Sequence, residues 1–396
     1  MHIARSSLTR LAAAVFGSGV LAAVLAVATP APAIAQGGAF VIRLGRDTSA
    51  VERYSQTANR IEADAVVRQP RTTLRHFVVD LGPDGRPVHA ELTVFNPGST
   101  TPTLRQTITV RQDSIIAETR RDTAVQRRAQ AAPAGTMLTQ LGGSASSFVT
   151  YDLVAQRLRN QSGSDSVKFV TMNGQTWWAG RLGRDSIWIF DGNDRYHMHV
   201  DGAGHILHAN PLSGTQQFTA ERVASVDINA LATAFGARDQ QGQSFGLASP
   251  RDTVRSSAGG ANLLVDYSRP SKRGRVIFGS TIVPWGEVWR TGANAATQFR
   301  TDKALEIGGI VVPAGFYTLW TIPSPTGWKL LINSETGQWG TAHKADHDLF
   351  QLDMAATTLP QPVERFVISI VPSAQGGTLN LDWDTTRASI PFTVRQ

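Results

Sequence analysis

The 396-residue chain carries 38 Lys and Arg against 31 Asp and Glu, a formal net charge of +7, and it has no cysteine. The missing thiols exclude disulfides, thiolate metal sites, a cysteine nucleophile and a lipid anchor on a cleavage-site cysteine. A chain of this length without cross-links must rely on core burial, and it has room for about two domains at ~100–200 residues each.

The N-terminus reads as an export signal. Arg5 and Arg10 give a positive start, Leu11 to Thr29 is an apolar run, and Pro30 and Pro32 break it. Ala33-Ile34-Ala35 then supplies a small-x-small cleavage pattern. Residues 1–36 are set apart as a signal peptide, with cleavage expected after Ala35 and an exported protein, periplasmic or secreted, as the consequence. The competing reading is an uncleaved anchor, because the run approaches the ~20 residues that span a bilayer. No later segment is apolar enough to cross a membrane, so no transmembrane segment is expected after cleavage. Losing Arg5 and Arg10 leaves 36 basic against 31 acidic residues. Only Arg120-Arg121, Arg127-Arg128 and Lys272-Arg273-Arg275 are dense in charge. They form no basic stripe on a recognisable nucleic-acid module. They read as solvated surface charge, and nucleic acid is not an expected partner.

The mature chain divides at a polar Gly/Gln stretch. Residues 37–235 form a β-rich N-terminal domain, 236–246 a linker and 247–396 a second domain. In the first, period-2 runs at Thr73–Leu81, Val88–Phe95, Leu104–Val110, Ser166–Met172 and Ser186–Phe190 predict strands. Gly82-Pro83-Asp84-Gly85 and Asp201-Gly202-Ala203-Gly204 predict hairpin turns. Phe148, Tyr151, Val154, Ala155 and Leu158 predict a helix near 145–160, and Asp227–Phe235 a second. Ala129–Gly135 reads as a mobile loop. Arg43-Leu44-Gly45-Arg46-Asp47 recurs as Arg181-Leu182-Gly183-Arg184-Asp185, through chance or shared hairpin chemistry. The expected fold class is mainly β: an N-terminal curved antiparallel sheet or half-barrel with one or two helices, able to enclose an apolar cavity, then a C-terminal antiparallel β-sandwich.

The sandwich rests on short strands with turns every 8–12 residues: Ala261–Tyr267, Arg275–Phe278, Ala304–Ile307, Ile310–Val312, Phe316–Ile322, Trp328–Asn333, Arg365–Val371, Leu379–Trp383 and Ser389–Val394. Several separated motifs here carry a family resemblance. They are Tyr267-Ser268-Arg269-Pro270-Ser271, Val283-Pro284-Trp285-Gly286 and Val288-Trp289-Arg290-Thr291-Gly292-Ala293-Asn294. Pro313-Ala314-Gly315-Phe316-Tyr317-Thr318-Leu319 and Gln338-Trp339-Gly340 belong with them. Over most of 260–396 the chain resembles the bacterial domain of unknown function family 2911. The resemblance implies an exported bacterial protein with a β-sandwich and implies no reaction. The segment His343-Lys344-Ala345-Asp346-His347 departs from the family, whose members often carry a Tyr and more acidic residues there.

Three groups are candidate sites. In the first, Trp285, Trp289, Arg290, Thr291, Asn294 and Trp339 combine flat apolar faces, a guanidinium fork and an amide suited to a sugar or small anion. The alternative is structural: Trp as core, Arg290 on a buried Asp, Asn294 tying down its loop. In the second, a tight turn at 201–204 would face His197 with His208, placing His197, His199 and His208 on one sheet face at Zn²⁺-binding spacing. The alternative is a polar strand face. The third, His343, Asp346 and His347, lacks the Glu of the helical zinc-protease pattern and reads as a solvated loop. No nucleophile elbow or phosphate loop is present, so no catalytic residue and no cofactor are assigned. The leading expectation is a non-enzymatic envelope protein binding a small ligand, a glycan or an envelope protein. The rival is a metal-dependent or carboxylate-dependent hydrolase of envelope sugars or esters, and a third reading is a protein-contacting scaffold.

Overall fold

Alternation shapes the first half of the chain. In Phe40-Val41-Ile42-Arg43-Leu44 the side chains at 40, 42 and 44 are buried while Val41 and Arg43 turn outward. The computed structural model describes residues 36–111, 114–132, 137–139, 147–160, 166–171, 176–190, 194–214 and 216–395. The signal peptide expected at the N-terminus lies outside the described residues, save Gln36.

Eight strands run as a meander: β1 (Gln36–Leu44), β2 (Asp47–Gln56), β3 (Arg60–Val67), β4 (Thr73–Leu81), β5 (Pro87–Phe95), β6 (Pro102–Val110), β7 (Ser114–Arg121) and β8 (Ala124–Ala131). A second meander holds β9 (Met137–Thr139), β10 (Ser166–Thr171), β11 (Thr176–Arg181), β12 (Ser186–Phe190), β13 (Arg195–Val200), β14 (Ile206–Ser213) and β15 (Phe218–Val223). Pairing of β1 with β15 joins them into one 15-stranded sheet. Its described pairs are antiparallel except β9 with β10. The sheet ends at β8 and β9, so these strands close no barrel. Ala129–Ala131, read above as the start of a loop, belongs to β8, and residues 133–135 lie outside the described ones. The two Arg-Leu-Gly-Arg-Asp pentapeptides are the β1–β2 and β11–β12 turns, with Gly45 at φ +60° and Gly183 at φ +78°. Hairpin chemistry explains the repetition.

Helix α1 (Phe148–Asn160) fills the hollow of this sheet. Its Phe148, Val149, Tyr151, Leu153, Val154, Ala155 and Leu158 are buried in one cluster with side chains of β1–β7 and β10–β15. A helix apolar on nearly every side has to be enclosed. The space expected to shelter an apolar ligand is therefore taken by the protein's own helix. Helix α2 (Ile228–Gln240) packs on the other face, where Ile228, Ala232 and Phe235 meet Val51 and Val66. Asp227 caps it by accepting from the Ala230 N–H at 3.0 Å. The stretch read as a linker from residue 236 is helical as far as Gln240. Gly236 marks close packing there: a Cβ would sit 2.8 Å from the Pro97 Cβ.

The second half forms a nine-stranded antiparallel sheet. Its strands are β16 (Arg251–Ala258), β17 (Ala261–Ser268), β18 (Thr297–Thr301), β19 (Leu305–Ile307), β20 (Ile310–Val312), β21 (Gly315–Ile322), β22 (Trp328–Asn333), β23 (Asp348–Pro372) and β24 (Gly376–Val394). The order is β16-β17-β18-β21-β22-β23-β24-β19-β20. The sheet folds over on itself. Leu263, Phe299 and Leu330 from one layer and Leu305, Leu379 and Phe392 from the other line a single apolar space of about 20 Å³. Two layers around a nearly filled apolar interior make a sandwich. Arg275–Phe278, expected as a strand, runs instead as a loop with an isolated bridge from Phe278 to Val283.

Candidate functional site

The structure separates the six residues of the aromatic-guanidinium group. Trp289 is 5% exposed and belongs to the sandwich core, stacked on Trp383 at 5.9 Å and edge-on to Phe366 at 5.1 Å. Thr291 is fully buried, its hydroxyl donating to Thr321 Oγ1 at 3.2 Å. Arg290 is largely buried; desolvation lowers its pKa, and the Asp194 carboxylate opposes that shift. Asp194 itself is buried between β12 and β13 of the first sheet and also supports the buried charge of Arg275. Gly340 packs on the Arg290 stem, where a Cβ would come within 1.9 Å of Cδ. Trp285, Trp339 and Asn294 remain exposed, Trp285 at 40% and Trp339 at 52%. Trp285 stacks on Phe278 at 5.8 Å. Asn294 takes φ +61° and its backbone carbonyl accepts from the Gly340 N–H at 2.9 Å. The run thus serves three surroundings at once: core, contact between the sheets, and solvent.

The histidines do gather, by a different register. A bulge beside Val200 pairs Val200 with Ile206 and sets His199, not His197, opposite His208. The ring of His199 lies 4.5 Å from that of His208 and 4.9 Å from that of His197. Burial and the neighbouring imidazoles lower the His197 pKa. Among the described residues, no group of three or more His, Asp or Glu is arranged to hold a metal ion. His343 and His347 point to different partners, Asp348 at 3.0 Å and Ser334 at 3.4 Å.

Sequence reasoning missed two polar centres around α1. Glu52 on β2 accepts from the backbone N–H groups of Phe148 and Val149 at 2.8 and 3.2 Å, capping the helix from the sheet. Burial pushes its carboxyl up to about 7 despite those bonds. Asp152 accepts from Tyr54, from Arg222 at 2.7 Å, from His205 at 3.1 Å, from Gln156 at 3.2 Å and from the Ile206 N–H at 2.6 Å. Although burial works against it, His205, Arg222 and Tyr54 hold its pKa below the ordinary carboxylate value. A carboxylate has about four lone-pair sites. With five donors Asp152 is saturated, which suits a clamp and leaves nothing for abstracting a proton from a substrate.

An open groove of about 500 Å³ crosses the outer face of β16, β17 and β18. Leu264 lies in its floor between Arg255 and Arg300, which register on either side of it. Neither guanidinium forms an ion pair among the described residues. Ser256, Ser257 and Asn262 add hydroxyl and amide groups, while Asp302 is occupied by Asn262 at 2.7 Å. Arg300 lies over the ring of Phe316, 4.8 Å from its centre, and Phe316 is 58% exposed. The sequence signal for this groove was the alternation Asn262, Leu264, Asp266 against buried Leu263 and Val265.

Residues 249–392 match a family model described as a protein of unknown function, DUF2911. No curated protein matches the chain. Among solved structures, the chain is similar to a DUF1089 family protein from Pseudomonas aeruginosa. Identity is 12%, the alignment covers 41% of this chain and 90% of that one, and the TM-score is 0.29. It is similar also to a β-barrel-like protein of domain of unknown function DUF1849 from Brucella abortus, with 10% identity, coverage of 48% and 98%, and a TM-score of 0.30. Likenesses this distant carry no argument about activity.

Proposed function

We propose that the protein is an exported, non-enzymatic binding protein of the bacterial envelope, and that its C-terminal sandwich takes an anionic saccharide. The observation that carries this reading is the groove with two guanidiniums that form no ion pair among the described residues, flanking an apolar floor beside the exposed ring of Phe316. Guanidinium forks suit the carboxylate of a uronic acid or a sugar phosphate. Ser256, Ser257 and Asn262 suit hydroxyls, and an exposed aromatic face suits the flat side of a pyranose. The ligand chemistry is of the kind expected of Arg290 and its tryptophans, but the groove is lined by other residues. Trp339 and Asn294 remain available as a separate exposed contact.

Titration calorimetry with uronic-acid oligosaccharides and their neutral counterparts tests the reading. Binding is expected for the acidic series alone. Arg255→Ala and Arg300→Ala should each weaken it about tenfold or more, as the loss of a charged hydrogen bond costs ~1.5–3 kcal/mol. Equal binding of neutral oligosaccharides, or none of either series, would refute the groove. Export is tested apart from this: a chain recovered from the periplasm should begin at Gln36.

A further inference from the structure

The far edge of the first sheet is built unlike the rest of it. Strands β6, β7 and β8 bury only Ile108, Ile115 and Ala117 in the core, with Leu104 and Val110 packed partly buried against it, and seven of the eight residues of β8 are exposed. Arg105, Arg120, Arg121, Arg127 and Arg128 project from this wing, all exposed. Arg105 stands directly opposite Arg120 across the β6–β7 pair. Like charges in that position repel. Glu118 lies opposite Arg127, yet none of the five arginines forms an ion pair among the described residues. Elsewhere in the same sheet outward arginines are neutralised: Arg43 by Glu221, Arg53 by Asp64, Arg60 by Glu62 and Asp80. Among the described residues the wing therefore holds arginines that no ion pair neutralises.

We propose that this wing is a docking edge for an acidic peptide segment that adds to β8 as a further strand. Along the outer edge of β8 no described strand pairs. Alternate residues of an edge strand direct N–H and C=O groups away from the sheet. Another polypeptide can use those groups, whereas a lipid surface or a polysaccharide has no matching row of amides. Side-chain placement points the same way. Arg127 and Arg128 are adjacent, so they project to opposite faces of the sheet. A flat anionic surface reaches only one face. An extended strand with consecutive acidic residues meets both. The docking edge is independent of the saccharide groove, which lies on the other sheet.

Charges on an edge strand also serve simply to keep chains apart, and the experiment separates the two roles. The probe is a labelled Thr-Val-Thr-Glu-Glu-Thr-Val-Thr peptide, read by fluorescence anisotropy with the full mature chain. Two companions carry Gln-Gln in place of Glu-Glu, or alternate backbone N-methyl groups that block pairing. Wild type is expected to bind the acidic probe about tenfold more tightly than either companion, with affinity falling as salt rises. The doubly substituted R127E/R128E chain should lose this preference and instead bind a third companion peptide that carries Lys-Lys in place of Glu-Glu. No binding, full binding of the N-methylated probe, or an unchanged preference in R127E/R128E would overturn the proposal. So would retention on phosphatidylglycerol vesicles without peptide binding, which would assign the wing to a lipid surface.

Discussion

Glu52 shows how one buried group can make stability depend on pH. Its folded pKa of about 7 lies above the ordinary carboxylate value of 4.5. The folded state therefore binds a proton that the unfolded state has released, and stability falls as pH rises from about 4.5 to about 7. The loss is of the order of 3 kcal/mol, since each unit of pKa is worth ~1.4 kcal/mol. Glu52→Gln keeps an oxygen for the Phe148 and Val149 N–H groups and removes the titration. Urea melts at pH 5 and pH 8 should differ by that amount in wild type and little in the variant. Trp289 poses the opposite question. A tryptophan in a sequence offers the same large face whether it fills a core or floors a site, so the run 285–294 could not be divided by residue type. The structure divides it by contacts, placing Trp289 against Trp328, Phe366 and Trp383. Trp289→Ala should cost ~3–5 kcal/mol in thermal or chemical melts. Trp339→Ala, at a half-exposed position, should cost well under 1 kcal/mol.

Elements were legible where a single pattern controlled them. Thr73–Leu81 and Ser186–Phe190 are strands to the residue, because alternation and flanking turns agree there. The helix at 148–160 was readable from its three- and four-residue spacing, but its place inside the hollow was not. That placement depends on Asp152, whose partners Tyr54, His205 and Arg222 lie 53 to 98 residues away. Asp152→Ala leaves Arg222 half-buried without its carboxylate, a loss of roughly 3–5 kcal/mol for a broken buried pair. Amide exchange in α1 should quicken more than in α2. Because the Asp152 pKa is depressed, its contribution is present above the ordinary carboxylate pKa and fades as pH falls through the lowered one. Boundaries failed where tertiary contacts overrode local signals. Gly236 looked like a break and is a point of close packing. The region read as three short strands after Arg365 is parts of β23 and β24, of 25 and 19 residues. The bulges between Thr358 and Val367 let one long strand carry Pro360 and Pro362.

At the scale of the whole molecule the two sheets keep separate interiors and meet through a polar latch. Within Lys272-Arg273-Arg275, read as solvated surface charge, Arg273 and Arg275 form that latch, while Lys272 pairs with Asp384 in its own sheet. Arg273 donates to Asp47 at 2.7 Å and to the Phe245 carbonyl at 2.8 Å, and its guanidinium lies 3.8 Å from the centre of the Phe245 ring. Its own carbonyl accepts from Arg46 N–H at 3.0 Å, at the β1–β2 turn. The sequence held no sign of this pairing, because 226 residues separate Asp47 from Arg273. The repeated pentapeptide supplies an internal control. Gly45 and Gly183 both need positive φ, so alanine at either costs ~1 kcal/mol in backbone strain. Only at Gly45 would the added Cβ collide, 2.1 Å from the Arg273 carbonyl oxygen, while at Gly183 nothing lies within 4 Å. If the sheets are two domains held by the latch, Gly183→Ala should lower a single calorimetric transition slightly. Gly45→Ala should split the transition in two and expose the 241–250 segment to protease. Identical melts for the two variants would mean that docking does not depend on this contact, and the sheets would then have to be treated as one cooperative body.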